Sequence, residues 1–165
     1  REVKTVHPYS TIHANIKKSA LTLFLSEILS YSIVEEEENK TLFHFISYAF
    51  SWLDAEESIA NFHIFFMLNL SKYLGCYPDT NTQGDYFDLL EGKFCTQQTV
   101  NDCISGENLT LFKQLLGIKF DGTKRIIATS QQKRELLNMI LLYFKLHLTA
   151  FKEPKSLTVL NQVFN

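Results

Sequence analysis

The side chains best equipped for chemistry in this sequence are cationic. Lys17 and Lys18 fall on the first predicted helix, Lys124-Arg125 precede the last long one, Lys133-Arg134 lie in its first turns, and Lys145 and Lys155 follow toward the C-terminal end. Ammonium and guanidinium groups make charge-assisted hydrogen bonds to phosphates and to carboxylates. As a set, these residues could hold a nucleic-acid backbone, or an acidic peptide seated in a neighbouring Phe/Leu groove. Taken singly, each reads as part of a solvated face, so a site requires the fold to bring several onto one surface.

Other chemistry is thin. The five histidines, His7, His13, His44, His63 and His147, never fall three or four apart, which removes helical metal-binding pairs. His63 lies in the most apolar stretch and is read as a core histidine bonded to a backbone or side-chain group. Cys76, Cys95 and Cys103 include no C-x-x-C pair. Cys76 and Cys95 are read as small packing groups, and neither a disulfide framework nor a closed four-ligand zinc site is expected. No Gly-rich phosphate loop, G-x-S-x-G elbow or H-E-x-x-H helix occurs. Nothing assembles into a nucleophile, base and orienting group. No catalytic residue, metal or cofactor is therefore assigned, and a non-enzymatic role is expected.

The net charge of −2 conceals a polarised chain. Residues 1–34 carry 4 basic and 2 acidic side chains, residues 35–91 carry 2 and 11, and residues 92–165 carry 10 and 5. An acidic middle, including the solvated run Glu35-Glu36-Glu37-Glu38, thus precedes a basic end suited to an anionic partner. A chain of 165 residues is one domain's length and can bury roughly 70% of its unfolded surface. The 14 Phe and 7 Tyr against 6 Gly and 3 Pro point to a packed, mainly helical core. No stretch of 18 apolar residues free of charge occurs, so neither a membrane span nor a signal peptide is read and a cytoplasmic setting is expected. The chain starts with Arg rather than Met and is read as part of a longer product.

The elements that must position the cations follow from periodicity. A first helix is predicted from about Ile12 to Val34, with Ser10 or Thr11 as its cap. A second fits Lys40 to Leu53, capped by Asn39. A third is predicted to start after Asp54, where Asp54-Ala55-Glu56-Glu57 reads as a capping box, and to stop at Gly75. Its apolar residues surround the circumference, which marks it as the buried central helix. Tyr86-Phe87-Asp88-Leu89 and Lys93-Phe94 flank Leu90-Glu91-Gly92 as a small β-hairpin that must lie against the helices. A short helix over Leu109 to Leu116, a long one from Ser130 broken by Pro154, and a final one capped by Ser156 complete a bundle of five to six helices in a single domain.

The order of these features resembles the C-terminal helical part of the RecO recombination mediators of bacterial DNA repair. The resemblance rests on ALTLFLSEIL at 20–29, Leu42-Phe43, FHIFFMLNLSKYLGCYP at 62–78, the hairpin YFDLLEGKF at 86–94, and the tail from Tyr143 to Phe164 with Lys155-Ser156-Leu157. It implies a helical domain that follows an N-terminal OB-fold, the OB-fold being absent from this chain. It also implies DNA binding mainly through that OB-fold, binding of the partner RecR, strand annealing, and docking of the acidic, Phe-terminated tail of single-stranded-DNA-binding protein. Two departures stand out. Many family members carry four zinc-binding cysteines where this chain reads DTNTQGDYFDLLEGKF, so zinc is not expected. Arginines thought to seat the tail precede the third helix in other members, whereas Ala60-Asn61 stand there in this chain. A purely structural or dimerising helical module is the alternative reading, and whether the basic residues share a face separates the two.

Overall fold

A computed structural model describes residues 8–34, 38–59, 61–120 and 126–164. The run Glu35 to Glu37 and the pair Lys124-Arg125 lie outside the described residues. The elements are α1 (Ile16–Ser32), α2 (Lys40–Ala55), α3 (Phe62–Tyr73), β1 (Tyr86–Asp88), β2 (Lys93–Cys95), β3 (Cys103–Ser105), α4 (Gly106–Leu115), α5 (Ser130–His147) and α6 (Leu157–Val163). The fold is mainly helical with a small β insertion, and no described helix is long and apolar enough to cross a membrane.

The central helix is α3. Phe62 to Leu68 are all buried, so the helix is enclosed on every side, as its continuous apolar circumference predicts. It packs against α2 and α5. On its α2 side the rings form a stack in which Trp52 lies parallel to Phe62 at 5.5 Å, while Phe120 inserts edge-on to Phe65 at 4.7 Å and tilted to Trp52 at 5.4 Å. Offset and edge-on aromatic pairs of this kind contribute beyond the area they bury.

Two helix starts differ from the sequence reading, and one carboxylate explains both. Asp54 remains inside α2 instead of opening α3. Its carboxylate accepts hydrogen bonds from the backbone N–H groups of Ser10 (2.9 Å), Thr11 (2.7 Å) and Ile12 (2.9 Å) and from the Ser10 hydroxyl (3.0 Å). With the 10–14 turn tied to α2 in this way, α1 begins later, and Asn15 caps it by accepting from the Lys17 and Lys18 N–H groups. The Ser10, Ile12 and Thr11 donors hold the Asp54 carboxyl well below its usual range. Helix α3 instead starts after Asn61, whose φ of 61° is tolerable for asparagine and whose Nδ2 donates to Ile126 O at 2.9 Å.

The hairpin forms, with Leu89 in the turn rather than on the strand: Tyr86 stands opposite Cys95, Phe87 opposite Phe94 and Asp88 opposite Lys93. A third strand, β3, unforeseen in the sequence, pairs antiparallel on the other side of β1. The alternation sends Phe87, Phe94 and Ile104 to the buried face, where Phe87 meets Phe112 of α4 at 4.7 Å and Tyr143 of α5 at 5.9 Å. Buried Asp88 stitches the insertion together by accepting from the Leu90 and Glu91 N–H groups, the Thr99 hydroxyl (2.5 Å) and Asn101 Nδ2 (3.0 Å). Among the described residues no group of three or more His, Cys, Asp or Glu is placed to hold a metal.

The last helix is moored to the first. Glu27 of α1 accepts from Ser156 N (2.9 Å), Ser156 Oγ (2.6 Å) and the Tyr31 hydroxyl (3.0 Å), so Ser156 spends its hydroxyl on Glu27 rather than on a cap of α6. Burial alone would raise the Glu27 carboxyl, but these donors outweigh it and hold the group at about 2. A carboxylate lowered on folding stabilises the protein above its unfolded value of 4.5 and loses that contribution as pH falls toward 2. Glu27→Gln is therefore expected to cost about 1–2 kcal/mol at pH 7 and to flatten stability between pH 4.5 and 2. Urea midpoints measured across that range check it, and a variant with an unchanged acid limb would refute the role.

Candidate functional site

The structure sorts the predicted cations. Lys18 leaves the candidate set: it is 3% exposed, and its ammonium donates to Thr11 Oγ1 (2.6 Å) and the Asp54 carbonyl (2.7 Å). Its place on the inner face of α1 makes it a tether for the 10–14 turn. Lys155 is exposed beside the Glu27–Ser156 mooring and lines neither of the two cavities described below. Lys124 and Arg125 lie outside the described residues.

Lys133 and Arg134 share one cavity, and Lys17 contacts a residue of its wall. Lys133 and Arg134, in the first turns of α5, line a cavity of about 70 Å³ whose apolar walls are Leu137, Leu160 and Phe164. Lys17 of α1 approaches the Phe164 ring of that wall, its ammonium standing 5.9 Å from the ring centre. The start of α5 is placed firmly, because Thr129 and Gln132 form a reciprocal capping box. The packing of α6 on α1 then brings Phe164 beneath Lys17.

Farther along α5 lies Lys145. It edges a second, larger cavity of about 310 Å³ together with Asn138, Leu141, Leu142, Phe151 and Glu153. Arg134 and Lys145 are eleven residues apart, close to three helical turns, so both face one side of α5 about 16 Å apart. That span matches about five residues of extended peptide. One side of α5 therefore carries a cationic, apolar cavity at its start and a roomier apolar one near its end.

His63 belongs to the first cavity, a role its sequence context concealed. Its imidazole lines the wall formed by α3. The ring is 7% exposed, and Nδ1 has no hydrogen-bond partner among the described residues, contrary to the expected bonded core histidine. Burial, reinforced by the nearby Lys133 charge, pushes the imidazole down to about 4, so it is neutral at pH 7. The cysteines stay near the sequence reading: all three are free and half-buried, and burial raises the Cys76 and Cys95 thiols, which disfavours the reactive thiolate.

Residues 13–157 match the family described as recombination protein O, C-terminal. The chain is 41% identical to the DNA repair protein RecO of Christiangramia forsetii over 99% of its own length and 69% of that protein's. It is likewise 41% identical to the RecO of Flavobacterium psychrophilum over 100% of the chain and 69% of the relative, and 35% identical to that of Bacteroides fragilis over 100% and 70%. No solved structure matches the chain. A helical bundle with a small β insertion, matched almost end to end by these repair proteins, belongs to the RecO family of DNA repair and recombination proteins.

Proposed function

We propose that this chain acts as a non-enzymatic domain of a recombination mediator and that the α5 face docks the acidic, Phe-terminated tail of single-stranded-DNA-binding protein. The observation that carries this reading is the pairing of Lys133 and Arg134 on a cavity walled by Leu137, Leu160 and Phe164, with Lys17 over the Phe164 ring. Cationic rims fix the register of acidic residues, while apolar pockets take the aromatic ones. The larger cavity edged by Lys145 and Phe151 extends that surface by a peptide-length span. Contact with DNA, mainly through an OB-fold, and with a RecR-like partner completes the proposed role in recombinase loading and strand annealing.

In this chain the cations come from α1 and α5, with Asn61 turned toward Ile126 at the start of α3. A fluorescent peptide ending in Asp-Phe-Pro-Phe is expected to bind the full chain with an affinity that falls as salt screens the rim. Anisotropy that stays flat up to high micromolar protein would sink the docking reading and favour a structural or dimerising module.

A further inference from the structure

The cavity at the start of α5 holds a titratable group that rim docking does not use. His63 is enclosed by the Phe24 ring of α1 at 6.4 Å and the Phe164 ring beyond α6 at 6.1 Å, with Nδ1 left without a partner. Among the described residues that line the cavity the charged side chains are Lys133 and Arg134 of α5, and Lys17 of α1 stands over the Phe164 ring. Among the described residues no acidic side chain lines this cavity. A buried ring nitrogen without a hydrogen-bond partner, beside a cavity lined by two cations, is a poor way to stabilise a core. It is a suitable receptor for an anion.

We propose that His63 is the proton-coupled receptor of this site: when a carboxylate of the acidic ligand seats against Lys133 and Arg134, His63 takes up one proton from solvent and donates a hydrogen bond to that carboxylate. The proposal rests on the docking reading above. An incoming carboxylate counters both causes that keep the ring neutral. It offsets the Lys133 charge and gives the buried ring an ionic acceptor. Protonation and docking are then reciprocal, each favouring the other. The aspartates of an acidic peptide stay ionised above pH 5.5, so a proton taken up on docking in the mildly acidic range is assigned to His63.

The size of the effect follows from linkage. If docking returns the imidazole from about 4 to an ordinary 6.5, affinity rises about tenfold between pH 7.5 and 5.5. The experiment titrates the Asp-Phe-Pro-Phe peptide into the full chain at pH 7.5, 6.5 and 5.5, by calorimetry in two buffers of different ionisation enthalpy. The expected result is proton uptake on binding and about tenfold tighter binding at pH 5.5, both lost in His63→Gln. A C-terminally amidated peptide separates the two sources of carboxylate: losing the response assigns it to the terminal group, keeping it assigns it to an aspartate. Binding with no proton uptake, or a pH response that survives His63→Gln, overturns the inference and leaves docking intact. No binding at any pH overturns both.

Because His63 is buried, the same question is put to the wild-type chain by NMR. The His63 ring proton should titrate near 4 in the free protein and near 6.5 with peptide bound. An unchanged midpoint in the complex refutes the coupling.

Discussion

Replacing Phe62 with alanine is expected to cost about 3–5 kcal/mol of stability, enough to lower the melting temperature by roughly 10 °C or more in a domain of this size. Phe62 is fully buried and meets Trp52 at 5.5 Å, Phe120 at 6.0 Å and Phe66 at 6.1 Å. Truncation removes the transfer energy of the ring and leaves a void. The neighbours cannot close that void, since Trp52 belongs to α2 and Phe66 to the next turn of the enclosed α3. Urea unfolding should show a lower midpoint with the slope unchanged, the mark of a native-state loss rather than a changed denatured state. Phe62→Leu, which keeps most of the volume, should recover more than half of the difference. If alanine costs less than about 1 kcal/mol, the aromatic stack is not what seats α3 against α2.

The second large effect concerns binding. The double reversal Lys133→Glu with Arg134→Glu is expected to weaken docking of the acidic peptide by at least about a hundredfold, since each position changes from attraction to repulsion beside an apolar cavity. Arg134 is exposed and Lys133 half-buried, and among the described residues the one acid that feels either charge is Arg134's neighbour Glu135, with no salt bridge formed, so folding should change little. A melting curve within a few degrees of wild type certifies that condition. Lys145→Glu, at the far cavity, should weaken binding less, and Lys155→Glu should leave it nearly unchanged. Equal losses at all four positions would point to diffuse attraction of a negative peptide rather than a seated one. Raising the salt concentration then discriminates further, because a long-range charge effect is screened within about 10 Å while partly enclosed contacts persist.

How much of this was legible in the residues varies from place to place. The enclosed α3 could be read because seven consecutive buried positions, Phe62 to Leu68, leave no polar stripe for solvent to claim. The hairpin was legible from its alternation and from Gly92, where φ is 66° and an added Cβ would stand 3.0 Å from the Tyr143 hydroxyl. The start of α3 was misread because a capping box is a local pattern, whereas Asp54 finds its donors 42 to 44 positions away. The strand β3 escaped for the same reason: a three-residue strand has no period of its own, and it is defined by pairing with β1.

The site divides along the same line. Residue types alone determined that this protein has a basic C-terminal part, a Phe-rich helical core and the likeness to its family, because composition and periodicity are properties of neighbours in the chain. Tertiary structure alone decided which cations lie near one another. Lys17 and Lys18 are adjacent in sequence, yet one stands over Phe164 and the other is buried on the Asp54 carbonyl, since successive residues on a helix point about 100° apart. Lys133 and Arg134 gained His63 as a neighbour only when α3 and α5 packed together, about 70 residues apart in the chain. A charge is written in the sequence, but its dielectric surroundings and its partners are made by the fold, and those determine what the charge can do.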